Sequence, residues 1–202
     1  NEVIKEVNIY YPNIIENVSV DEFKSKLIGQ QIIDMDRRGK WIIFVLNDYY
    51  LLSHLRMEGK YFIKNTSEEK AKHEHVIMHF ADNKDLRYHD TRKFGRMKII
   101  PKYALYETEE IKKQGKEPGS KELTSEYLVS KFKLKKEPIK TALLDQTIIS
   151  GLGNIYANEV LFASNINPMR PANSITLDEA QKIVETSASI IKKAMELGGT
   201  TI

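Results

Sequence analysis

Cysteine is absent from the 202 residues, which excludes disulfides and thiolate metal sites within this chain. No apolar run approaches the roughly 20 residues that a membrane-spanning helix requires. The opening stretch, NEVIKEVNIYYPNII, lacks the layout of a signal peptide. A cytoplasmic protein is the expectation. A strong charge imbalance is also missing: 31 Lys and Arg stand against 28 Asp and Glu, a net +3. That mildly basic balance, with a pI of about 8.8, is compatible with nucleic acid without being diagnostic. There is no internal repeat and no low-complexity tract. Several enzyme classes lose their motifs as well. There is no cysteine nucleophile, no serine-triad spacing and no carboxylate pair that stands out for glycosidase-type work, and the Gly-Leu-Gly-Asn turn lacks the full dinucleotide fingerprint.

What is present divides the chain in two. A length of 202 residues suits one large domain or two small ones. Residues 2–10 alternate in a strand-like way until Pro12-Asn13, and Ser19-Val-Asp-Glu22 reads as a capping box opening a short helix that Gly29 closes. Seven short β-like runs follow: Gln30–Asp36, Lys40–Leu46, Tyr49–His54, Lys60–Lys64, His75–Phe80, Asp85–His89 and Gly95–Pro101. Turn residues separate them, the rhythm of a sandwich or barrel. Residues 102–123 are charged, carry Gly115, Pro118 and Gly119, and read as a linker with one helix. From Thr124 the pattern is helical. Thr176-Leu-Asp-Glu179 is a second capping box, and Leu177, Ala180, Ile183, Val184, Ser187, Ile191, Ala194 and Leu197 trace one helix face until Gly198-Gly199. The expected fold is α+β and multidomain: a β-sandwich over 1–101, a linker over 102–123 and a helical domain over 124–202, with a cleft between the domains for a ligand or duplex.

The centre of the helical half is LLDQTIISGLGNIYANEVLF, residues 143–162. Two glycines in three residues permit a positive-φ turn, and Asn154 falls where an N-cap or a direct phosphate contact is expected. On spacing alone the same residues also describe a plain helix hairpin. Other candidates are scattered. Lys40 follows Arg37-Arg38-Gly39, a cation group that can meet phosphate or form a solvated turn. Arg92-Lys93-Phe94 is a cation–cation–aromatic tip able to enter a duplex or to fold inward. His73, His75 and His79 lie at even spacing, yet three ligands on one straight strand converge poorly on a metal. Lys133, Lys135, Lys136 and Lys140 form a charge run ahead of the glycine turn.

Four motifs, RRGKW, SHLRMEGKY, DTRKFGRM and LLDQ-x4-GLGNIY-x2-EVLF, occur in the order found in formamidopyrimidine-DNA glycosylases, and the chain resembles that family over essentially its whole length. The resemblance implies an N-terminal β-sandwich and a helix–two-turn–helix domain. It implies base-excision repair of oxidised purines, 8-oxoguanine and formamidopyrimidines, with AP lyase β,δ-elimination. Lys40 is then a lysine that touches a phosphate near the lesion and assists the chemistry. His54, His73, Arg92, Lys136, Lys140 and Asn154 are DNA contacts. Met57, Arg92 and Phe94 fill the void left by the extruded base, Arg92 reading the orphaned partner. The partner is double-stranded DNA carrying an oxidised purine, the location the cytoplasm in association with the nucleoid, and the molecule a monomer.

The resemblance also sets an expectation for the ends. The family's nucleophile is an N-terminal proline amine followed by a glutamate, whereas this sequence opens Asn1-Glu2-Val3. Neither Asn1 nor Glu2 takes those roles. After the turn matched by Gly198-Gly199-Thr200-Thr201, members continue into a lesion-capping loop and a four-cysteine finger, where one zinc is expected; no metal is expected within this chain. The 202 residues as they stand are therefore expected to lack glycosylase activity. They are either the ordered part of a longer enzyme or a true fragment. The alternative function is a non-catalytic module for damaged or bent duplex.

Overall fold

The structure, a computed structural model, describes residues 2–199. Asn1 and the Thr200-Thr201 end of the expected terminal turn lie outside the described residues. The chain forms two compact units, Asn1–Thr108 and Glu109–Ile202.

The first unit holds two four-stranded antiparallel sheets. One has the order β1 (Ile4–Ile9), β6 (Glu74–Phe80), β7 (Lys84–His89), β5 (Lys60–Asn65). The other has β2 (Asp34–Arg38), β3 (Trp41–Val45), β4 (Tyr49–His54), β8 (Arg96–Pro101). Period-two alternation turns one face of each sheet inward. Ile4, Val7, Val76, Met78 and Tyr88 from the first sheet share a core with Phe44, Leu51, Met97 and Ile99 from the second. Helix α1 (Val20–Leu27) adds Phe23 and Leu27.

Two expectations are corrected here. The run placed at Gln30–Asp36 forms its strand later, at Asp34–Arg38. Residues 30 and 31 pair elsewhere: the Gln30 carbonyl accepts from the Ile4 N–H at 2.8 Å, and Gln31 bridges Val3. Arg37 and Arg38 thus lie in a strand. The capping box at Ser19 is only half made. Ser19 Oγ accepts from the Glu22 N–H, but the Glu22 carboxylate turns to Lys26 at 2.6 Å.

The second unit packs α3 (Ser125–Phe132), α4 (Ile139–Leu144), α5 (Asn154–Ala163) and α6 (Leu177–Glu196) around Leu128, Phe132, Leu143, Ala157, Leu161 and Ile183. The capping box at Thr176 and Glu179 is complete in both directions, and Gly198 and Gly199, both at positive φ, follow the helix. The apolar face expected of α6 fades at its ends, where Leu177 and Leu197 are exposed. Within 102–123, a 3-10 turn over Lys102–Glu107 belongs to the first unit. The short helix α2 (Glu109–Lys112) and buried Leu123 belong to the second. Among the described residues no helix is long and apolar enough to cross a membrane.

Candidate nucleic-acid interface

In the first unit, the register pairs Arg38 with Trp41, leaving Gly39-Lys40 as a two-residue hairpin loop. Gly39 adopts φ +59, a region that glycine enters freely, and the Arg37 guanidinium donates to its carbonyl at 2.7 Å. The next pair in register is Trp41 with His54, whose rings meet edge-on at 5.0 Å. His54 Nδ1 accepts the Arg56 N–H at 3.0 Å. Burial, with Arg56 and then Lys40 adding repulsion, pushes His54 down to about 4. Burial and Arg56 likewise lower Lys40. At neutral pH His54 is therefore uncharged, and because Nδ1 accepts, its proton sits on Nε2, which is left as a donor. The fold thus gathers Lys40, His54 and Arg56 at one sheet end, a cation pair with a neutral donor, suited to phosphate oxygens. Arg56 was missed by the sequence reading, although a cation in the turn after His54 was there to be noticed.

The void-filling candidates sit on two loops of the same unit. Met57, 69% exposed, tips the turn that the Gly59 N–H closes on the Leu55 carbonyl. Arg92 stacks its guanidinium over Phe94 at 4.7 Å, and Phe94 is 45% exposed, so the wedge is not folded inward. Asp90 organises this second loop. Its Oδ1 accepts the Arg92 N–H at 3.0 Å, and its Oδ2 accepts the Gly95 N–H at 2.9 Å and the Tyr88 hydroxyl at 3.1 Å. Burial works to raise the Asp90 carboxyl, but those donors outweigh it and hold it below the usual carboxylate range.

The even histidine spacing does not survive folding. β6 begins at Glu74 and is irregular between Glu74 and Val76, so His73 lies ahead of the strand, half-buried against the His75 and His89 rings. His75 bonds the Asp90 carbonyl at 2.8 Å and His79 bonds Asp85 at 2.6 Å. No group of three or more His, Cys, Asp or Glu among the described residues is arranged to hold a metal ion. The loop ahead of His73 is held by Arg87, 2% exposed. Arg87 donates to Asp85, Glu74 and the carbonyls of Asn65, Glu68 and Glu69. A buried arginine with every donor occupied leaves no trace in a hydropathy pattern.

In the second unit, the connection from α4 to α5 is a double turn built on Asp145 and Gln146. Asp145 Oδ1 accepts from the Thr147 N–H and hydroxyl. The Gln146 amide donates to the Leu144 and Leu152 carbonyls at 2.9 and 2.8 Å and accepts the Gly151 N–H at 2.9 Å. Residues 115 and 116 brace the turn, Gly115 N–H to Gln146 and Lys116 N–H to Ile148. Of the two glycines only Gly151 takes a positive φ, +94; Gly153 is extended and is itself the N-cap. Asn154 is thus the first helical residue rather than the cap, and its side chain is exposed. The first turn of α5 carries no acidic residue, and its unpaired N–H groups and dipole favour an anion. Lys135 is committed to Glu137 and Asp145 at 3.0 and 3.2 Å. Lys136 is exposed on the way into α4, and Lys140 is half-buried in its first turn.

A β-sandwich carrying a cation group beside exposed Met57, Arg92 and Phe94, and a second unit with a helix–two-turn–helix, are the features of a DNA-binding protein. Residues 1–97 match the formamidopyrimidine-DNA glycosylase N-terminal domain and residues 114–202 the formamidopyrimidine-DNA glycosylase H2TH domain. The chain is 44% identical over 199 residues to the formamidopyrimidine-DNA glycosylase of Listeria monocytogenes serotype 4b, covering 98% of this chain and 73% of that protein. It is 44% identical over 200 residues to the one from Lactiplantibacillus plantarum, with the same coverage. Lactococcus lactis Fpg bound to DNA containing an abasic site superposes with a TM-score of 0.94 at 34% identity, over 100% of this chain and 74% of that one. A Lactococcus lactis Fpg mutant bound to Fapy-dG DNA gives the same values. The chain belongs to the formamidopyrimidine-DNA glycosylase family.

Proposed function

We propose that this chain acts in base-excision repair of oxidised purines, 8-oxoguanine and formamidopyrimidines, binding the damaged duplex and holding its lesion nucleotide extruded for glycosylase and AP lyase chemistry. The observation that carries it is the pairing, within one unit, of the Lys40–His54–Arg56 group with the exposed Met57, Arg92 and Phe94. Extrusion costs a few kcal/mol of lost stacking and pairing, and an inserted aromatic or apolar side chain offsets part of that cost. Lys40 grips the backbone at the distortion, and its lowered basicity readies the ammonium to share its proton with the leaving fragment. Arg92 faces the orphaned base, and in the second unit Lys136, Lys140 and Asn154 take phosphate contacts of their own. His73 adds a contact beside the wedge. Neither Lys40 nor any other described residue is assigned the amine that attacks C1′.

The relatives of known structure carry abasic-site and Fapy-dG duplexes, which sets the probes. In fluorescence anisotropy, a duplex with a tetrahydrofuran abasic analogue is expected to bind at least tenfold tighter than its undamaged counterpart. Equal affinities would overturn the proposal. Borohydride trapping on an 8-oxoguanine duplex, with the intact mass of the same sample read against 23.3 kDa, reports on the covalent step.

A further inference from the structure

Two loops carry the wedge, 55–59 with Met57 and 90–95 with Arg92 and Phe94, and they converge on one atom. The Tyr88 hydroxyl is the first heavy atom that a methyl added at either Gly59 or Gly95 would overlap. Tyr88 is fully buried and Asp90 is 1% exposed. The same hydroxyl donates to Asp90, whose two oxygens hold the Arg92 and Gly95 N–H groups. A second link crosses at the rim, where the Thr91 hydroxyl donates to the Glu58 carboxylate. Behind Tyr88 its ring packs on Tyr61, whose own hydroxyl donates to Ser53 on the opposite sheet at 2.8 Å.

We propose that Tyr88 and Asp90 are positioning residues that lock the two wedge loops into one rigid unit, so that Met57 enters the vacated site in step with Arg92 and Phe94. Neither touches the duplex. They act by removing freedom from three exposed side chains, which otherwise must be ordered at the moment of insertion. At Gly95 the hydroxyl takes the space a side chain would need, and at Gly59 it does so together with the Leu55 carbonyl.

The inference rests on the proposed function, and its test separates the two. The full chain is titrated with an undamaged duplex and with one carrying an abasic analogue, the partner base flanked by 2-aminopurine. Wild type must prefer the abasic duplex with a rise in fluorescence; no preference would defeat the functional proposal itself. Given that preference, Tyr88→Phe is expected to reduce it about tenfold, the loss of one buried hydrogen bond, and to suppress the fluorescence rise. Its affinity for undamaged duplex, set by phosphate contacts, stays within twofold. Thr91→Val, a surface change that leaves the core intact, is expected to act in the same direction, several-fold. Unchanged preference in both variants, or equal losses on both duplexes, would overturn the positioning role. Thr91→Val alone decides the matter if Tyr88→Phe unfolds.

Discussion

His54→Asn and His54→Gln separate the two nitrogens of one ring. Nδ1 accepts the Arg56 N–H, which places the proton on Nε2. Asparagine sets an oxygen where Nδ1 lies and keeps the Arg56 bond, but offers nothing at the Nε2 position; glutamine does the reverse. A hydrogen bond to a charged acceptor contributes about 1.5–3 kcal/mol, so His54→Asn should weaken duplex binding about 10- to 100-fold. The slope of log affinity against log salt should not change, because the ring removed was neutral. Lys40→Ala, by contrast, should make that slope shallower by about 0.9. The fold leaves a second mark. An imidazole whose folded pKa is depressed from 6.5 to about 4 binds fewer protons folded than unfolded between those values. Its stability is fully present above pH 6.5 and lost as pH falls toward 4. The displacement corresponds to about 3 kcal/mol, and screening at the half-buried ring brings the expected loss to about 1–2 kcal/mol. Urea unfolding at pH 7.5 and at pH 4.5, wild type against His54→Asn, reads it as a gap that moves in favour of the variant at the lower pH. A salt slope shallower by one in His54→Asn would show an imidazolium at the interface and refute the neutral-donor assignment. Parallel pH profiles would show that the fold does not hold the ring neutral.

Asn154→Ala should likewise cost several-fold in duplex affinity with an unchanged salt slope, since a neutral side chain is removed from the α5 N-terminus; a shallower slope would contradict it. Gln146→Ala removes three hydrogen bonds of the double turn and should destabilise the second unit by about 2–3 kcal/mol, seen as a lower urea midpoint; a shift under 0.5 kcal/mol would remove its bracing role. Arg87→Lys cannot reproduce the fork that serves Asp85, Glu74 and three carbonyls. It should destabilise by about 3–5 kcal/mol, and near-neutral unfolding data would show the network to be dispensable. The Arg170 hydrogen bond, with the Thr176 N–H, pulls Glu179 down to about 2. Its contribution is present above pH 4.5 and lost as pH falls toward 2. Glu179→Gln should therefore be less stable than wild type by about 1–2 kcal/mol at pH 7 after screening. The gap should close in acid, and a constant gap would refute the pairing.

Strand positions were legible because each β-like run alternates within itself. Tyr49–His54 has the bounds expected of it, and five of the other runs differ by a single residue at one or both ends. The Gln30–Asp36 run failed because its first residues, Gln30 and Gln31, pair with Ile4 and Val3 at the entry to β1, a long-range pairing that local alternation does not encode. Lys40, His54 and Met57 could be singled out because they fall inside contiguous motifs. Asn154 was found on the right helix end but one position off, since an N-cap and a first helical residue differ by a single ψ angle and Gly153 takes the cap.

The residues that escaped share a different property. Tyr88, Asp90, Arg87 and Gln146 act through partners that the chain reaches only after folding, and each disguises itself locally. Tyr88 reads as one more aromatic in a strand, and Arg87 as a charged residue expected on the solvent side of β7. Gln146 reads as a polar residue in a loop. The glycines betray what they conceal. Gly59 and Gly95 do not have positive φ, so no turn type demands them. A glycine without a backbone reason implies that another group occupies the place of its side chain. Here the Tyr88 hydroxyl reaches into both places, joined at Gly59 by the Leu55 carbonyl, so the glycine after Glu58 and the glycine after Phe94 both leave room for the same buried group.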